Sequence, residues 1–181
     1  MASLSKSADL TKLLRGLRQT RSFATDQVDN GALDAILEVA RWTGSGGNKQ
    51  PWRLVIVRDA EARAAIAATK ADMGWLADAP IVIGIVTEGK TAESFRFDAG
   101  RLVERIMLAA FAQGLRAAVV GFGAADSEPA QRARAILNMP EGLWLAHAVA
   151  IGHPGPKGAD SGSARSGRKP LIDIVIEGRF P

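Results

Sequence analysis

Several stretches of this 181-residue chain carry side chains suited to gripping an anionic ligand. Arg18-Gln19-Thr20-Arg21 sets two guanidinium groups three residues apart, with an amide and a hydroxyl between them. Arginine offers forked donors that match phosphate oxygens, so the cluster suits a phosphate. Taken alone, it reads better as a solvated helix end whose cations favour the C-terminal dipole. Gly44-Ser45-Gly46-Gly47-Asn48-Lys49-Gln50-Pro51-Trp52 joins a backbone that can approach a ligand closely to the polar side chains of Ser45, Asn48 and Gln50. A helix cap followed by a turn explains Gly44 but not the density of amides. Val119-Val120-Gly121-Phe122-Gly123 ends a strand with two glycines, where a backbone could meet a flat ligand edge or simply form a loop. Arg165, Arg168 and Lys169 form a late basic cluster before Pro170, which by itself reads as a solvated loop.

Other chemistries find little support. The glycine-rich stretch follows a helix and precedes a strand, the reverse of the strand, loop, helix order of P-loop and Rossmann sites. His147 lies in an apolar strand and His153 in a turn, with no G-x-S-x-G elbow for a serine hydrolase. No His, Asp and Glu set has metal-ligand spacing. Zero cysteines exclude disulfide scaffolds, thiol redox chemistry and cysteine nucleophiles. Any redox group must therefore be brought in.

The elements that position these stretches follow from periodicity. Leu10, Leu13, Leu14 and Leu17 recur at helical spacing, and Leu33, Ile36, Leu37 and Ala40 write a second helix after the capping candidates Asp29 and Asn30. Leu54 to Val57 reads as a buried strand, Ala60 to Lys70 as a helix, and Ile81 to Val86 as an interior strand. A long helix carries Leu102, Val103, Ile106, Met107, Ala110 and Phe111 on one face and stops at Gly114. Arg116 to Phe122 and Leu143 to Ile151 read as strands around a short helix, Pro129 to Leu137, opened by Ser127. Residues 152–167 read as a mobile loop. The apolar run Leu171 to Ile176 is too hydrophobic to stand in water, so it is expected to add to a sheet or cover a second subunit, with the second subunit favoured. The alternation of helices and strands is also compatible with a doubly wound parallel sheet.

Length and a hydrophobic content of 47% suit one domain, residues 1–181, with its own core. The N-terminal residues lack the apolar stretch of a secretory signal, and the longest apolar run falls far short of a membrane span, so a cytoplasmic protein with no membrane partner is expected. The net charge of +4 favours anionic partners, yet the cations are dispersed and lack the aromatic-basic surface of a nucleic-acid module.

In this order the segments resemble the nitroreductase family of FMN flavoproteins, over about residues 13–170. Arg18 to Phe23 followed by Val28 looks like the family's R-S-x-R-x-F/Y…V opening, with Gln19 where serine is usual. Ser45 to Trp52 is similar to S-x-x-N-x-Q-P-W, the most specific match. Arg168-Lys169-Pro170 resembles R-x-P, and Asp98 to Leu115 looks like the central helix ending in G-L. The resemblance implies an α+β fold: an α/β/α sandwich with a mixed, mainly antiparallel central sheet and a C-terminal arm, residues 168–181, exchanged with a second subunit. It implies FMN as cofactor at the interface of a homodimer. Arg18, Gln19, Arg21 and Arg168 would lie on its phosphate and ribityl chain, and Ser45, Gly46 and Asn48 along the ribityl chain and ring. Val120 and Gly121 would face the ring, with the Gly121 N–H near N5. Many relatives carry an acidic residue where Val120 stands. The implied activity is a ping-pong oxidoreductase that passes hydride from NAD(P)H through flavin N5 to a nitroaromatic, quinone or similar acceptor, with no catalytic side chain demanded of the protein. Rivals are a specialised relative that consumes flavin, dehalogenates or dehydrogenates, and a flavin-binding protein without turnover.

Overall fold

Asp29, Asp59 and Ser127 each accept a hydrogen bond from the backbone N–H three residues further on, at 3.1, 2.7 and 3.4 Å. Those caps start three of the helices in the computed structural model, which describes residues 2–88, 92–156 and 167–180. The chain runs α1 (Ala2–Gly16), α2 (Asn30–Arg41), β1 (Trp52–Val57), α3 (Ala60–Ala67), α4 (Trp75–Asp78), β2 (Ile81–Glu88), α5 (Ala92–Ala112), β3 (Arg116–Gly121), α6 (Glu128–Ile136) and β4 (Leu143–Gly152). Pro129 sits in the first turn of α6, where its missing N–H costs no helical bond. Short 3₁₀ turns occupy Gly46–Asn48 and Leu171–Asp173.

The four strands lie in the order β1-β2-β4-β3, and every neighbouring pair is antiparallel. β2 and β3 therefore run parallel, but β4 inserts between them, so the alternation of helices and strands does not build a doubly wound parallel sheet. One isolated parallel bridge, Gln19 to Ala117, sits outside the named strands.

Alternation along each strand feeds two cores. Ile83, Ile85, Val149 and Ile151 pack under Ile36, Leu102 and Ile106 on the α2–α5 face. Val82, Val86, Ala148 and Ala150 pack under Ile66, Leu76 and Ala133 on the face of α3, α4 and α6. The expected helix to Lys70 stops at Ala67, where the Thr69 hydroxyl donates to the Ile66 carbonyl. The brief helix α4 was not foreseen, because four residues are too few to show a period.

Of the loop expected over 152–167, residues 157–166 lie outside the described residues. Its beginning is pinned. Gly152 ends β4, Pro154 bridges Phe23, and the Gly155 N–H donates to the Ser22 carbonyl at 3.0 Å. A Cβ on Gly155 would stand 2.9 Å from the Ser22 carbonyl carbon, so this approach requires glycine. Beyond Pro170 the apolar arm makes no strand with its own chain among the described residues. Leu171, Ile172 and Phe180 are 74%, 85% and 83% exposed.

Candidate functional site

β3 is an edge strand, and its outward backbone groups decide what can dock beside it. The Phe122 N–H donates inward to the Ala146 carbonyl at 3.1 Å. By alternation the groups of residues 117, 119 and 121 turn to the open edge. Arg18 to Thr20 covers the first two of these. The Thr20 N–H donates to the Ala117 carbonyl at 3.0 Å, and the Val119 N–H donates to Gln19 Oε1 at 3.3 Å. At Gly121 the carbonyl accepts from Lys70 Nζ at 3.1 Å, while the Gly121 N–H meets no acceptor among the described residues.

Beside this edge lies an open cleft of about 570 Å³. Arg15, Arg18, Gln19 and Arg168 line it together with one carboxylate, Glu104, over a floor of Val103, Met107 and Val119, so three cations outweigh a single anion. Arg18 and Arg168 meet here although 150 residues separate them in the chain. The Arg18 Nη1 group donates to the carbonyls of Arg15 at 2.8 Å and Leu17 at 2.7 Å. It thus satisfies the end of α1, while its remaining N–H groups make no hydrogen bond among the described residues and could meet an anion. The helix-end reading of Arg18 and its ligand reading are therefore compatible.

Arg21 does not join them in this chain. Its guanidinium stacks over the Trp75 ring at 5.3 Å, and Trp75 packs on the opposite face of the sheet. Val120 likewise turns its side chain into that face, leaving only backbone at the edge beside Gly121. His147, opposite Gly121 in the ladder, lies 3.6 Å from where a Gly121 Cβ would stand. Its Nδ1 is buried and has no partner among the described residues.

Burial holds the His147 pKa below its ordinary 6.5, so the unfolded chain takes the proton more readily than the folded one. The stability attached to the neutral imidazole is whole above about pH 6.5 and drains away as pH falls toward the lowered folded value. Denaturant melts between pH 8 and pH 5 should show this decline, and His147→Gln should flatten it.

The second group of expected residues forms a cradle. Ser45 Oγ accepts from the Gln50 N–H at 2.8 Å, and Gln50 Nε2 donates to the Asn48 carbonyl at 3.2 Å and to Asn48 Oδ1 at 3.3 Å. Gly47, Asn48 and Gln50 all hold positive φ, at 58°, 54° and 48°. Glycine and asparagine tolerate that region; glutamine does so at a cost that the surrounding hydrogen bonds offset. The polar side chains of the stretch thus shape the loop itself.

Asp98 on α5 anchors the cradle by accepting the Gly46 N–H at 3.3 Å, with Arg101 3.8 Å away on its other oxygen. This carboxylate is buried, at 6% exposure. Sequence reasoning missed it, although a lone acid beside the apolar positions Phe95, Ala99 and Leu102 was a visible signal. Asp98→Ala is expected to loosen the cradle and weaken ligand binding there by about tenfold, the effect of losing one charge-assisted hydrogen bond. Fluorescence titration with a flavin would measure it.

Cleft and cradle stand on opposite flanks of α5. At about 100° per residue, Asp98, Arg101 and Arg105 share the α2 flank, and Val103 and Met107 share the β3 flank. Between them the helix presents Phe97, Gly100 and Glu104 to solvent, and Phe97 is 69% exposed. Within one chain this ridge separates the two halves.

An α+β sandwich with a cationic cleft on an open strand edge is the class that the architecture defines, and comparison places it. The chain has the nitroreductase fold, and residues 14–73 match the model of the Nitroreductase family. The family resemblance carried by the sequence motifs therefore holds for both pattern and fold. An FMN-dependent nitroreductase from Clostridium difficile superposes with a TM-score of 0.81 at 21% identity, covering 94% of this chain and 99% of that one. A nitroreductase homologue from Desulfovibrio desulfuricans, solved in complex with FMN, superposes with a TM-score of 0.75 at 28% identity, over 94% and 97%. A protein from Thermus thermophilus named NADH dehydrogenase is 27% identical over 88% of this chain and 91% of its own length.

Proposed function

We propose that this chain is an FMN-dependent oxidoreductase that works as a homodimer, passing hydride from NAD(P)H to nitroaromatic, quinone or similar electron-poor acceptors. The observation that carries the reading is the β3 edge. A cleft holding Arg18 and Arg168 lies at Val119, and the unclaimed Gly121 N–H stands two residues further along, roughly 7 Å at strand rise. Cations at one end and a lone donor at the other suit a ligand with a phosphate tail and a heteroaromatic head. The residues present fit FMN.

Arg18 and Arg168 would hold the phosphate through charge-assisted hydrogen bonds, with Gln19 keeping the strand edge in register. The Gly121 N–H would donate to flavin N5 and orient the ring. Arg21 would add to the phosphate grip only after leaving Trp75. Because α5 separates the cleft from the cradle, Ser45, Gly46 and Asn48 would reach a flavin held by the second copy, along its ribityl chain and ring. The exposed arm, residues 168–180, would lie over that copy, as would the outer face of α5. When bound, FMN supplies the hydride and electron transfer, so the protein contributes position, electrostatics and exclusion of water.

Among the described residues no helix is long and apolar enough to cross a membrane. The test is to purify the protein, record its absorption spectrum, and follow NADPH and NADH oxidation with menadione as acceptor. A flavin spectrum with steady turnover is the expected result. A colourless protein that takes up no added FMN would defeat the proposal, and bound FMN without turnover would leave a flavin-binding protein in its place.

A further inference from the structure

Lys70 is an unusual partner for a strand end. It follows α3 by three residues, and the buried Thr69, bonded back to the Ile66 carbonyl, sets the turn that aims it. From there it reaches the carbonyl of Gly121, 51 residues away, at 3.1 Å. Water would satisfy that exposed carbonyl equally well, while ordering a lysine side chain costs up to about 2 kcal/mol of rotamer entropy. Fold stability alone gives little reason for the contact.

In an edge strand the N–H and C=O of one residue face the same side. The cation on the Gly121 carbonyl therefore stands beside whatever acceptor the Gly121 N–H holds. We infer that Lys70 is a positioning residue that fixes the end of β3 and places a positive charge at the rim of the flavin ring, favouring its electron-rich reduced form. The inference rests on the flavin reading above. No motif marks Lys70, because the contact exists only when α3 and β3 are packed on the same sheet.

The experiment compares wild type, Lys70→Gln and Lys70→Arg, each loaded with FMN, by equilibrating the bound flavin with redox dyes. The potential relative to free FMN gives the ratio of affinities for reduced and oxidised flavin. Lys70→Gln should lower that ratio by roughly threefold to tenfold, a partly screened charge near the ring, with an unchanged melting temperature. Lys70→Arg, which keeps the charge, should stay near wild type. Equal ratios in all three flavin-loaded proteins would overturn the role of Lys70 and leave the flavin reading intact. A wild-type protein that binds no FMN would overturn that reading, and this inference with it.

Discussion

Replacing Arg18 or Arg168 by alanine is expected to weaken FMN binding by roughly tenfold to a hundredfold each, the scale of losing charge-assisted hydrogen bonds to a phosphate. Both line one cleft, so a phosphate bound there would meet both, and the double variant should depart from simple additivity. Riboflavin, which lacks the phosphate, should bind all of these proteins with similar affinity. Arg21→Ala gives the contrast. Its side chain is engaged on Trp75, so its loss should cost stability on the order of 0.5–1 kcal/mol and reduce FMN affinity several-fold less than Arg18→Ala. Flavin fluorescence titrations would measure the set. Equal losses for Arg21 and Arg18 would mean that Arg21 leaves the indole when the phosphate arrives.

Truncation after Pro170 is expected to convert the protein to monomers that retain no flavin. The arm carries Leu171, Ile172, Ile174, Val175, Ile176 and Phe180, all between 48% and 85% exposed on the isolated chain. Burying six such side chains is worth on the order of 10 kcal/mol before the cost of ordering the arm, enough to decide an association equilibrium. The fold of the remainder should survive, since the arm contributes nothing to either core. Light scattering and the flavin absorbance of the gel-filtration peak would read both effects together. A truncated dimer that still carries flavin would remove the arm from the interface and place the burden on Phe97 and the outer face of α5.

These two expectations locate the pieces on separate elements, and α5 is what joins them. Its apolar stripe holds the sheet, Asp98 on one flank shapes the cradle, and Val103 and Met107 on the other floor the arginine-lined cleft. A substitution that rotates or shifts this helix would disturb both halves at once.

The amino-acid order alone determined where the long elements lie, because hydrophobic period and caps are local: Asp29 starts α2, Ser127 with Pro129 starts α6, and the stripe from Leu102 to Ala110 defines α5. It also marked part of the candidate site: Ser45 and Asn48 sit where the density of amides exceeds what a plain turn needs, whereas Arg18, Gly121 and Arg168 read by themselves as a helix end and loops and took on a ligand role only through the family resemblance. Only the tertiary structure decided how those stretches relate. That β4 inserts between β2 and β3, making the sheet antiparallel, depends on pairings between residues some 60 apart, which leave no trace in local period. That Gln19 serves the Val119 N–H, that Arg21 stacks on Trp75, and that Asp98 and Lys70 hold the cradle and the strand end are all contacts across long loops of chain. A side chain's type announces what it can bond, but which partner it finds is settled only when distant elements pack on one sheet.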